Sequence, residues 1–263
     1  MTRLEVIGGG RMGEALLGGL LNSGWAEATD LVVVEPVAAR RTELADRYPG
    51  LTVTDTPGGA DGVVIAVKPG QVVEACRALA GLTVGRVLSI AAGVTIERLE
   101  SSLASDVPVV RAMPNTPALV GAGASAIAAG SHASDTDLAW AEEVLGAVGI
   151  VVRVSESQLD AVTGLSGSGP AYVFLVTEAL IEAGVLLGLP RDISTDLTVQ
   201  TLLGSARLLV DTDDDAPTLR AAVTSPGGTT AAGLRVLEDR ATRAAFIAAV
   251  AAASERSARL AAD

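Results

Sequence analysis

The stretch that decides the fold is Leu4-Glu5-Val6-Ile7-Gly8-Gly9-Gly10-Arg11-Met12-Gly13, near the start of the chain. Residues 4–7 predict a short strand, and the pattern of residues 14–23 predicts a helix directly after the glycines. Gly8, Gly10 and Gly13 have the spacing G-x-G-x-x-G, which allows a tight turn, close approach of a pyrophosphate and packing of helix on strand. The stretch therefore predicts a dinucleotide-binding turn, with candidate cofactor-binding residues Gly8, Gly10, Arg11, Met12 and Gly13.

The alternation of strand and helix continues through the first 155 residues. Residues 62–67 are apolar throughout, which is typical of a strand buried on both faces of a parallel sheet. Further strand patterns are at residues 31–35, 51–53, 86–90, 124–128 and 150–154, and helical patterns are at residues 71–79, 95–103 and 135–148. We predict an α/β fold in which residues 1–155 form a Rossmann NAD(P)-binding domain with a mostly parallel sheet.

Further candidate cofactor-binding residues lie at the ends of the predicted strands. Lys68 follows the apolar strand at its carboxyl end, the edge where open α/β sheets bind ligands, although a solvated lysine is the alternative. Ala92 lies in a run of small residues that leaves room for a flat ring. Val67, Lys68 and Ala92 are thus candidate cofactor-binding residues, whereas we interpret Asn115 as a structural turn residue.

The type of dinucleotide is left open by the sequence. Glu35 follows the second strand, where an acidic side chain accepts hydrogen bonds from the adenosine ribose and favours NADH. Arg40 and Arg41 lie just beyond it, where a basic side chain binds a 2'-phosphate and favours NADPH. The two signals conflict, so both NADPH and NADH stay candidates.

Composition excludes several classes of function. The formal net charge of -12 argues against a nucleic-acid partner, since phosphate backbones are bound by clustered Lys and Arg. One cysteine, Cys76, forbids an internal disulfide, and one histidine, His132, is too few for a His/Cys metal cluster, so we predict no metal site. We interpret Cys76 as inert packing and His132 as a solvated loop residue. The N-terminal residues do not form a secretory signal, and we predict a cytoplasmic protein.

Residues 156–263 contain helical patterns without a strand pattern and form the predicted second domain. Residues 171–189 are apolar nearly all round, which raises the possibility of a membrane span. Glu178 and Glu182 lie in the middle of that segment, and carboxylates are costly at membrane depth. We predict instead a helix that is buried on all sides, and thus an obligate homodimer, because the remaining helices are too few to cover it.

A second glycine-rich stretch, Ser225-Pro226-Gly227-Gly228-Thr229-Thr230, lies between two helical patterns. The proline ends what precedes it, the glycines permit close approach of a ligand, and the threonines open the next helix. A helix N-terminus carries unpaired N–H groups and the positive end of the peptide dipole, so a carboxylate can bind there without an arginine. Ordinary capping of a helix is the alternative.

The chain resembles pyrroline-5-carboxylate reductases, the enzymes of the last step of proline biosynthesis, from end to end. The stretches that carry the resemblance are Gly8 to Gly13, Ala66-Val67-Lys68-Pro69, Ala91-Ala92-Gly93-Val94-Thr95, Arg111-Ala112-Met113-Pro114-Asn115-Thr116-Pro117, Leu165-Ser166-Gly167-Ser168-Gly169-Pro170-Ala171-Tyr172 and Ser225 to Thr230. The resemblance implies a Rossmann domain that carries NADPH or NADH and an all-α C-terminal domain that dimerises by interleaving. In that family, dimers often assemble into decamers. Glu35 departs from the small or basic residue that many members carry, which again leaves the cofactor open.

The resemblance also implies the roles of single residues. The substrate, 1-pyrroline-5-carboxylate, is expected under the loop of Ser225 to Thr230, with the backbone of Gly228 and Thr229 on its carboxylate. Thr230 would bond the imine nitrogen as the catalytic residue, and Glu156 would lie close by. L-proline would be the product, and no membrane or nucleic acid is expected as a partner. The alternatives are a reductase of another small cyclic imine or keto acid, and a non-catalytic NAD(P)-binding protein.

Overall fold

The structure, a computed structural model, describes residues 2–262, with side chains described as far as residue 260. Contacts divide the chain into two compact units. The first, the Rossmann unit, comprises Met1–Ser168 together with Ala251–Asp263, and the second, the helical unit, comprises Gly169–Val250. The final helix therefore begins in one unit and ends in the other, a crossing that the sequence pattern did not indicate. The predicted boundary between residues 155 and 156 stays a prediction.

One eight-stranded sheet forms the centre of the Rossmann unit. Its strands are β1 (Leu4–Ile7), β2 (Leu31–Val34), β3 (Thr52–Thr54), β4 (Gly62–Ile65), β5 (Val87–Ser89), β6 (Val109–Met113), β7 (Gly123–Ala129) and β8 (Gly149–Arg153). The strand order is β3-β2-β1-β4-β5-β6-β7-β8. Every neighbouring pair is parallel except β6 and β7, which are antiparallel. The predicted α/β class with a mostly parallel sheet is confirmed.

The helices of the Rossmann unit cover both faces of this sheet. They are α1 (Arg11–Asn22), α2 (Ala38–Arg47), α3 (Val72–Ala78), α4 (Ile96–Glu100), α5 (Asp135–Gly146) and α6 (Leu159–Val162). Successive residues of a strand point to opposite faces, and the sheet thus separates the two larger of the three core clusters; the third and smallest contains Ile96, Ala126, Ala128 and Leu159. Leu4, Val6 and Val64 belong to one cluster, and Ile7 and Ile65 belong to the other.

The helical unit contains α7 (Gly169–Leu186), α8 (Arg191–Asp211), α9 (Ala216–Ala222), α10 (Thr229–Asp239) and the first part of α11 (Thr242–Ala262). Helices α7 and α8 pack closely where the Ser194 hydroxyl donates to the Ile181 carbonyl at 2.9 Å. A Cβ at Gly184 would lie 2.2 Å from the Ser194 oxygen, so a larger residue here would displace the Ser194 hydroxyl from this hydrogen bond. The all-α character predicted for this part of the chain is confirmed.

Local structure differs from the sequence patterns at two places. Helix α5 ends at Gly146, and Gly149 is the first residue of β8 with a φ of 155°, not a helix cap as the pattern suggested. Residues 163–167 form a turn of π-helix that links α6 to α7 with little interruption. Such single π turns commonly lie near functional sites.

Candidate functional site

The turn between β1 and α1 is built so closely that glycine is required at two of its positions. Gly8 has a φ of 108°, and a Cβ there would lie 2.7 Å from the Ala66 carbonyl oxygen. A Cβ at Gly13 would lie 2.1 Å from the Gly8 carbonyl oxygen. These contacts bring the start of α1 directly against the ends of β1 and β4. The predicted roles of these two glycines in the turn and in helix packing are thus visible as contacts.

The N-terminus of α1 is open to a ligand. Gly10 is its N-cap, no side chain of the described residues caps it, and the space around a Gly10 Cβ is empty within 4 Å. The first hydrogen bond of the helix runs from Glu14 N–H to the Gly10 carbonyl at 2.8 Å. The N–H groups of residues 11–13 are therefore left without an intrahelical acceptor. This cradle fits the pyrophosphate of a dinucleotide.

The remaining candidate cofactor residues lie along the same edge of the sheet. Glu35 directly follows β2, Val67 and Lys68 follow β4, and Ala92 follows β5. Strands β2, β1, β4 and β5 are consecutive neighbours in the sheet, and all are parallel. The chain reverses its direction across the sheet between β1 and β4, which is the switch point where open α/β sheets bind ligands. The structure thus brings the predicted cofactor residues together on four adjacent strand ends.

Asn115 has a structural role, as predicted, but with distant partners. Its Oδ1 accepts from the Ala124 N–H at 2.8 Å, and its Nδ2 donates to the Ser166 carbonyl at 3.1 Å. The side chain thereby ties the turn after β6 to β7 and to the π turn. The sequence motif indicated a turn residue that bonds its own backbone.

The last part of α11 supplies a wall of the Rossmann unit that the sequence did not indicate. Ser257 is buried, and its hydroxyl donates to Asp160 Oδ1 at 2.7 Å. This segment encloses a cavity of about 480 Å³ beside the end of β5, lined by Pro69, Gly70, Ala92, Gly93, Val94, Arg98, Thr163, Ser168, Ala253, Arg256, Ser257 and Leu260. These residues are spread over most of the chain, so no local pattern identifies them as one surface.

Glu156 holds together elements of the Rossmann unit. Its Oε1 accepts from the Ile96 N–H at 2.7 Å, at the start of α4, and from the Arg111 guanidinium at 2.8 Å. Arg111 is only 6% exposed, so this carboxylate compensates a buried positive charge. The predicted contact of Glu156 with the substrate stays a prediction.

In the helical unit, the stretch from Ser225 to Thr230 forms a tight turn followed by a helix. The Gly228 N–H donates to the Ser225 carbonyl at 3.0 Å, and Gly227 has a φ of 71°. Proline at the second position and a left-handed glycine at the third are the pattern of a type II turn. Helix α10 begins at Thr229, as the sequence predicted.

The first turn of α10 leaves polar groups free. Its first hydrogen bond runs from Ala232 N–H to the Gly228 carbonyl at 3.2 Å, so the amides of residues 229–231 have no intrahelical acceptor. Threonines 177, 195, 201, 212 and 224 bond a carbonyl one turn back. Within the described part of the chain, the Thr229 and Thr230 hydroxyls have no such partner. The Gly228 amide is already used by the turn, so the free donors begin at Thr229.

The residues that we expected to be inert agree with that interpretation. Cys76 is buried, and burial raises the pKa of its thiol to about 11. The side chain of His132 is 48% exposed, and its Nδ1 lies 3.8 Å from Asp106. Among the residues that the structure describes, no group of three His, Cys, Asp or Glu side chains is placed to hold a metal ion.

Known proteins match this chain over its whole length. A pyrroline-5-carboxylate reductase of Mycobacterium tuberculosis is 46% identical in an alignment that covers 99% of this chain and 97% of that relative. The chain belongs to the pyrroline-5-carboxylate reductase family. The predicted resemblance is confirmed.

Solved structures agree with this family assignment. A pyrroline-5-carboxylate reductase of Coxiella burnetii has a TM-score of 0.93 and 38% identity and covers 98% of both chains. The Plasmodium falciparum pyrroline carboxylate reductase, solved with NADP bound, has a TM-score of 0.84 and 31% identity, covering 99% of this chain and 98% of its own.

Two family models match separate parts of the chain. Residues 3–93 match a model described as NADP oxidoreductase coenzyme F420-dependent, and residues 156–260 match one described as pyrroline-5-carboxylate reductase dimerisation. The first match agrees with the predicted NADPH or NADH cofactor. The second covers the segment from Glu156 to Thr230, which carries the substrate residues predicted from the resemblance to pyrroline-5-carboxylate reductases.

Proposed function

We propose that this chain reduces 1-pyrroline-5-carboxylate to L-proline, with NADPH or NADH as the hydride donor, in the last step of proline biosynthesis. The full-length relationship to pyrroline-5-carboxylate reductases carries this proposal. In this reaction the C=N bond of the substrate is reduced and the cofactor is oxidised. Two features support it: the open cradle at the start of α1, and the free donors at the start of α10.

The carboxylate of the substrate binds, in this proposal, at the N-terminus of α10. The free amides that begin at Thr229 offer hydrogen bonds, and the helix dipole adds a favourable potential for an anion. Gly228 has no side chain to block that approach, and a Cβ there would lie only 2.4 Å from the Ser225 hydroxyl. Ser225 thereby shapes the corner on which the carboxylate rests.

The Thr230 hydroxyl is the proposed catalytic group. A hydroxyl accepts as well as donates, so it can hold the N–H of a protonated imine and fix the orientation of the ring. A protonated imine already has an electrophilic carbon and needs no strong acid, which suits a chain with a single histidine. The reduced nicotinamide, when bound, supplies the hydride. Fixing the ring is the contribution of the protein, and good alignment lowers a barrier by about 7 to 11 kcal/mol.

The cofactor is held, in this proposal, along the carboxyl edge of the sheet. The amides that follow Gly10, on Arg11, Met12 and Gly13, bind the pyrophosphate, and Gly8 keeps the turn close to β4. Glu35 contacts the adenosine ribose. Residues after β4 and β5, which are Val67, Lys68 and Ala92, contact the nicotinamide half.

We further propose a homodimer formed through the helical unit. Residues 156–186 are long and apolar enough to cross a membrane by length and composition alone, and none of the described residues of α7 is buried. Phe174 and Leu175 of α7 are 62% and 66% exposed. The dimerisation model matches this same region, so a second copy of the chain, and not lipid, is the proposed cover. A decamer and a cytoplasmic location stay predictions.

Substitution of Thr230 tests the proposed chemistry. Loss of one hydrogen bond to a charged group predicts a fall in kcat of about 10- to 100-fold for Thr230→Ala. Thr230→Ser keeps a hydroxyl and is expected to restore most of the turnover. The measurement follows oxidation of NADH and NADPH in parallel with the five-membered imine, and direct cofactor binding is expected to be unchanged in both variants.

Two results contradict the proposal. Binding of NADH or NADPH without any oxidation on addition of the imine would indicate a binding protein. Faster turnover of the six-membered homologue than of 1-pyrroline-5-carboxylate would indicate a reductase of another imine.

A further inference from the structure

Glu35 and the two arginines that follow it give conflicting signals about the cofactor, and the structure shows which partners each of them has. The sequence alone gives one residue that favours NADH and two that favour NADPH. Each of the three side chains has hydrogen-bond partners in the folded chain. These partners determine which of the three is free to contact the 2' position of the adenosine ribose.

The Glu35 carboxylate is fixed against the glycine turn. Glu35 is 8% exposed, its Oε2 accepts from the Gly9 N–H at 3.1 Å, and its Oε1 accepts from the Val37 N–H at 2.9 Å. Both partners are neutral backbone amides, so the negative charge is not neutralised by either of them. A carboxylate oxygen accepts more than one hydrogen bond, and both oxygens can still accept from a diol.

Arg40 is committed to other partners. Its Nε donates to the Gly9 carbonyl at 2.8 Å, and one terminal nitrogen donates to Glu43 at 2.9 Å. The other terminal nitrogen pairs with Glu14. Glu43 and Glu14 together raise the pKa of Arg40, so its positive charge is already matched by two carboxylates.

Arg41 is also turned toward the protein. One terminal nitrogen donates to the carbonyls of Glu35 and Pro36 at 2.9 Å and 2.8 Å. The other lies 3.7 Å from Asp55. Its hydrogen bonds hold the segment after β2 in place, and binding a phosphate would require giving them up.

We propose that Glu35 makes NADH the preferred cofactor of this chain. Its carboxylate accepts hydrogen bonds from the 2'- and 3'-hydroxyls of the ribose. A 2'-phosphate would instead meet a buried like charge, while Arg40 and Arg41, the two described cations that follow Glu35, already have partners within the chain. The inference rests on the proposed use of a nicotinamide dinucleotide. It deepens that proposal by naming the residue that selects between its two forms.

Direct binding tests the proposal without the substrate. Calorimetric titration of the wild-type protein with NADH and NADPH, at one pH and ionic strength, is expected to give at least about tenfold tighter binding of NADH. In Glu35→Gln, NADH is expected to bind more weakly and NADPH more tightly, so the preference falls to less than about threefold. Asp46→Asn is the matched control, since Asp46 is an exposed carboxylate on the same helix as Arg40, and it is expected to keep the wild-type ratio.

Two outcomes overturn the proposal: equal or tighter binding of NADPH by the wild-type protein, and an unchanged ratio in a folded Glu35→Gln variant. The wild-type measurement decides even if that variant fails to fold. A protein that binds NADH selectively but reduces no imine leaves this inference standing and removes the proposed function. A protein that reduces the imine but prefers NADPH overturns this inference and leaves the proposed function standing.

Discussion

The Rossmann unit and the helical unit differ in how much of their apolar surface is buried within the chain. In the Rossmann unit, two clusters of Leu, Val and Ile are enclosed on the two faces of one sheet. In the helical unit, the only buried residue among those described in α7 and α8 is Ser194, while Phe174, Leu175 and Val210 are 62%, 66% and 82% exposed. Both units are rich in apolar residues, so composition alone does not separate them.

The difference shows where each unit obtains its stability. A sheet with helices on both faces buries its apolar side chains within one chain. Helix α7 is apolar nearly all round, yet none of its residues is buried within this chain, so it needs a partner. We therefore expect the Rossmann unit to depend on contacts within the chain and the helical unit to depend on association.

The largest expected effect is on association. Leu175→Glu would place a charge in the proposed dimer interface, and burial of an unpaired charge is expected to cost about 4 kcal/mol, or about 1,000-fold in the dissociation constant. Sedimentation measures the change as a shift toward monomer. Val120→Glu is the control, since Val120 is 80% exposed on the Rossmann unit, and it is expected to leave the assembly unchanged. An equal shift toward monomer in the two variants would contradict the proposed difference between the units.

The next largest effect is on stability, and it is expected at only one of two glycines in the same turn of the Rossmann unit. Gly13→Ala would bring a Cβ against the Gly8 carbonyl, which is expected to lower the free energy of unfolding by about 2 to 3 kcal/mol. Gly10→Ala meets no atom within 4 Å, so it is expected to keep the stability but lose dinucleotide affinity, since the methyl group would occupy the open cradle. Urea titration and direct binding measure the two effects separately. Equal loss of stability in both variants would contradict the described packing of the turn.

A smaller effect is expected at Glu156. Glu156→Gln removes the negative charge beside the buried Arg111, which is expected to lower the free energy of unfolding by about 2 kcal/mol. Glu97→Gln serves as the control because Glu97 is exposed on the neighbouring helix α4. Equilibrium unfolding in urea provides the measurement. A variant as stable as the wild-type protein would show that the Rossmann unit does not depend on this pair.

The smallest expected effect is on stability, at the ion pairs of Glu14 with Arg40 and Arg47 in the Rossmann unit. Burial by itself would raise the pKa of Glu14, but the guanidinium groups of Arg40 and Arg47 outweigh it and lower that pKa below its usual value of 4.5. A lowered pKa in the folded state stabilises the protein above that usual value, and the contribution disappears as the pH falls through the folded-state pKa. Glu14→Gln is thus expected to cost about 1 kcal/mol at neutral pH and less with increasing acidity.

Glu238→Gln sharpens this last comparison. Glu238 pairs with Arg243 at 2.7 Å in the helical unit, but both side chains are more than half exposed, and water screens such pairs. We expect a smaller loss of stability than for Glu14→Gln at neutral pH. A pH-independent effect of Glu14→Gln in thermal unfolding would show that its ion pairs do not contribute.

Local patterns were sufficient to predict most of the elements. The strand at Leu4–Ile7 and the helix that begins at Thr229 were predicted from periodicity and from proline and glycine positions, because these features act over a few residues. The end of α5 was predicted incorrectly, because a glycine directly after an apolar helical pattern is typical of a helix cap, whereas Gly149 is the first residue of β8 with a φ of 155°. The contacts of Asn115 were predicted in kind but not in partner.

The sequence by itself determined the Rossmann fold, the positions of the two glycine turns and the family, because each depends on residue types at short, fixed spacings. Only the tertiary structure decided which polar groups are occupied. Glu35 bonds Gly9, Glu156 bonds Arg111, and Ser257 bonds Asp160 across 26, 45 and 97 residues of chain. The order of the strands and the return of the last helix create these pairs, and no local spacing encodes them.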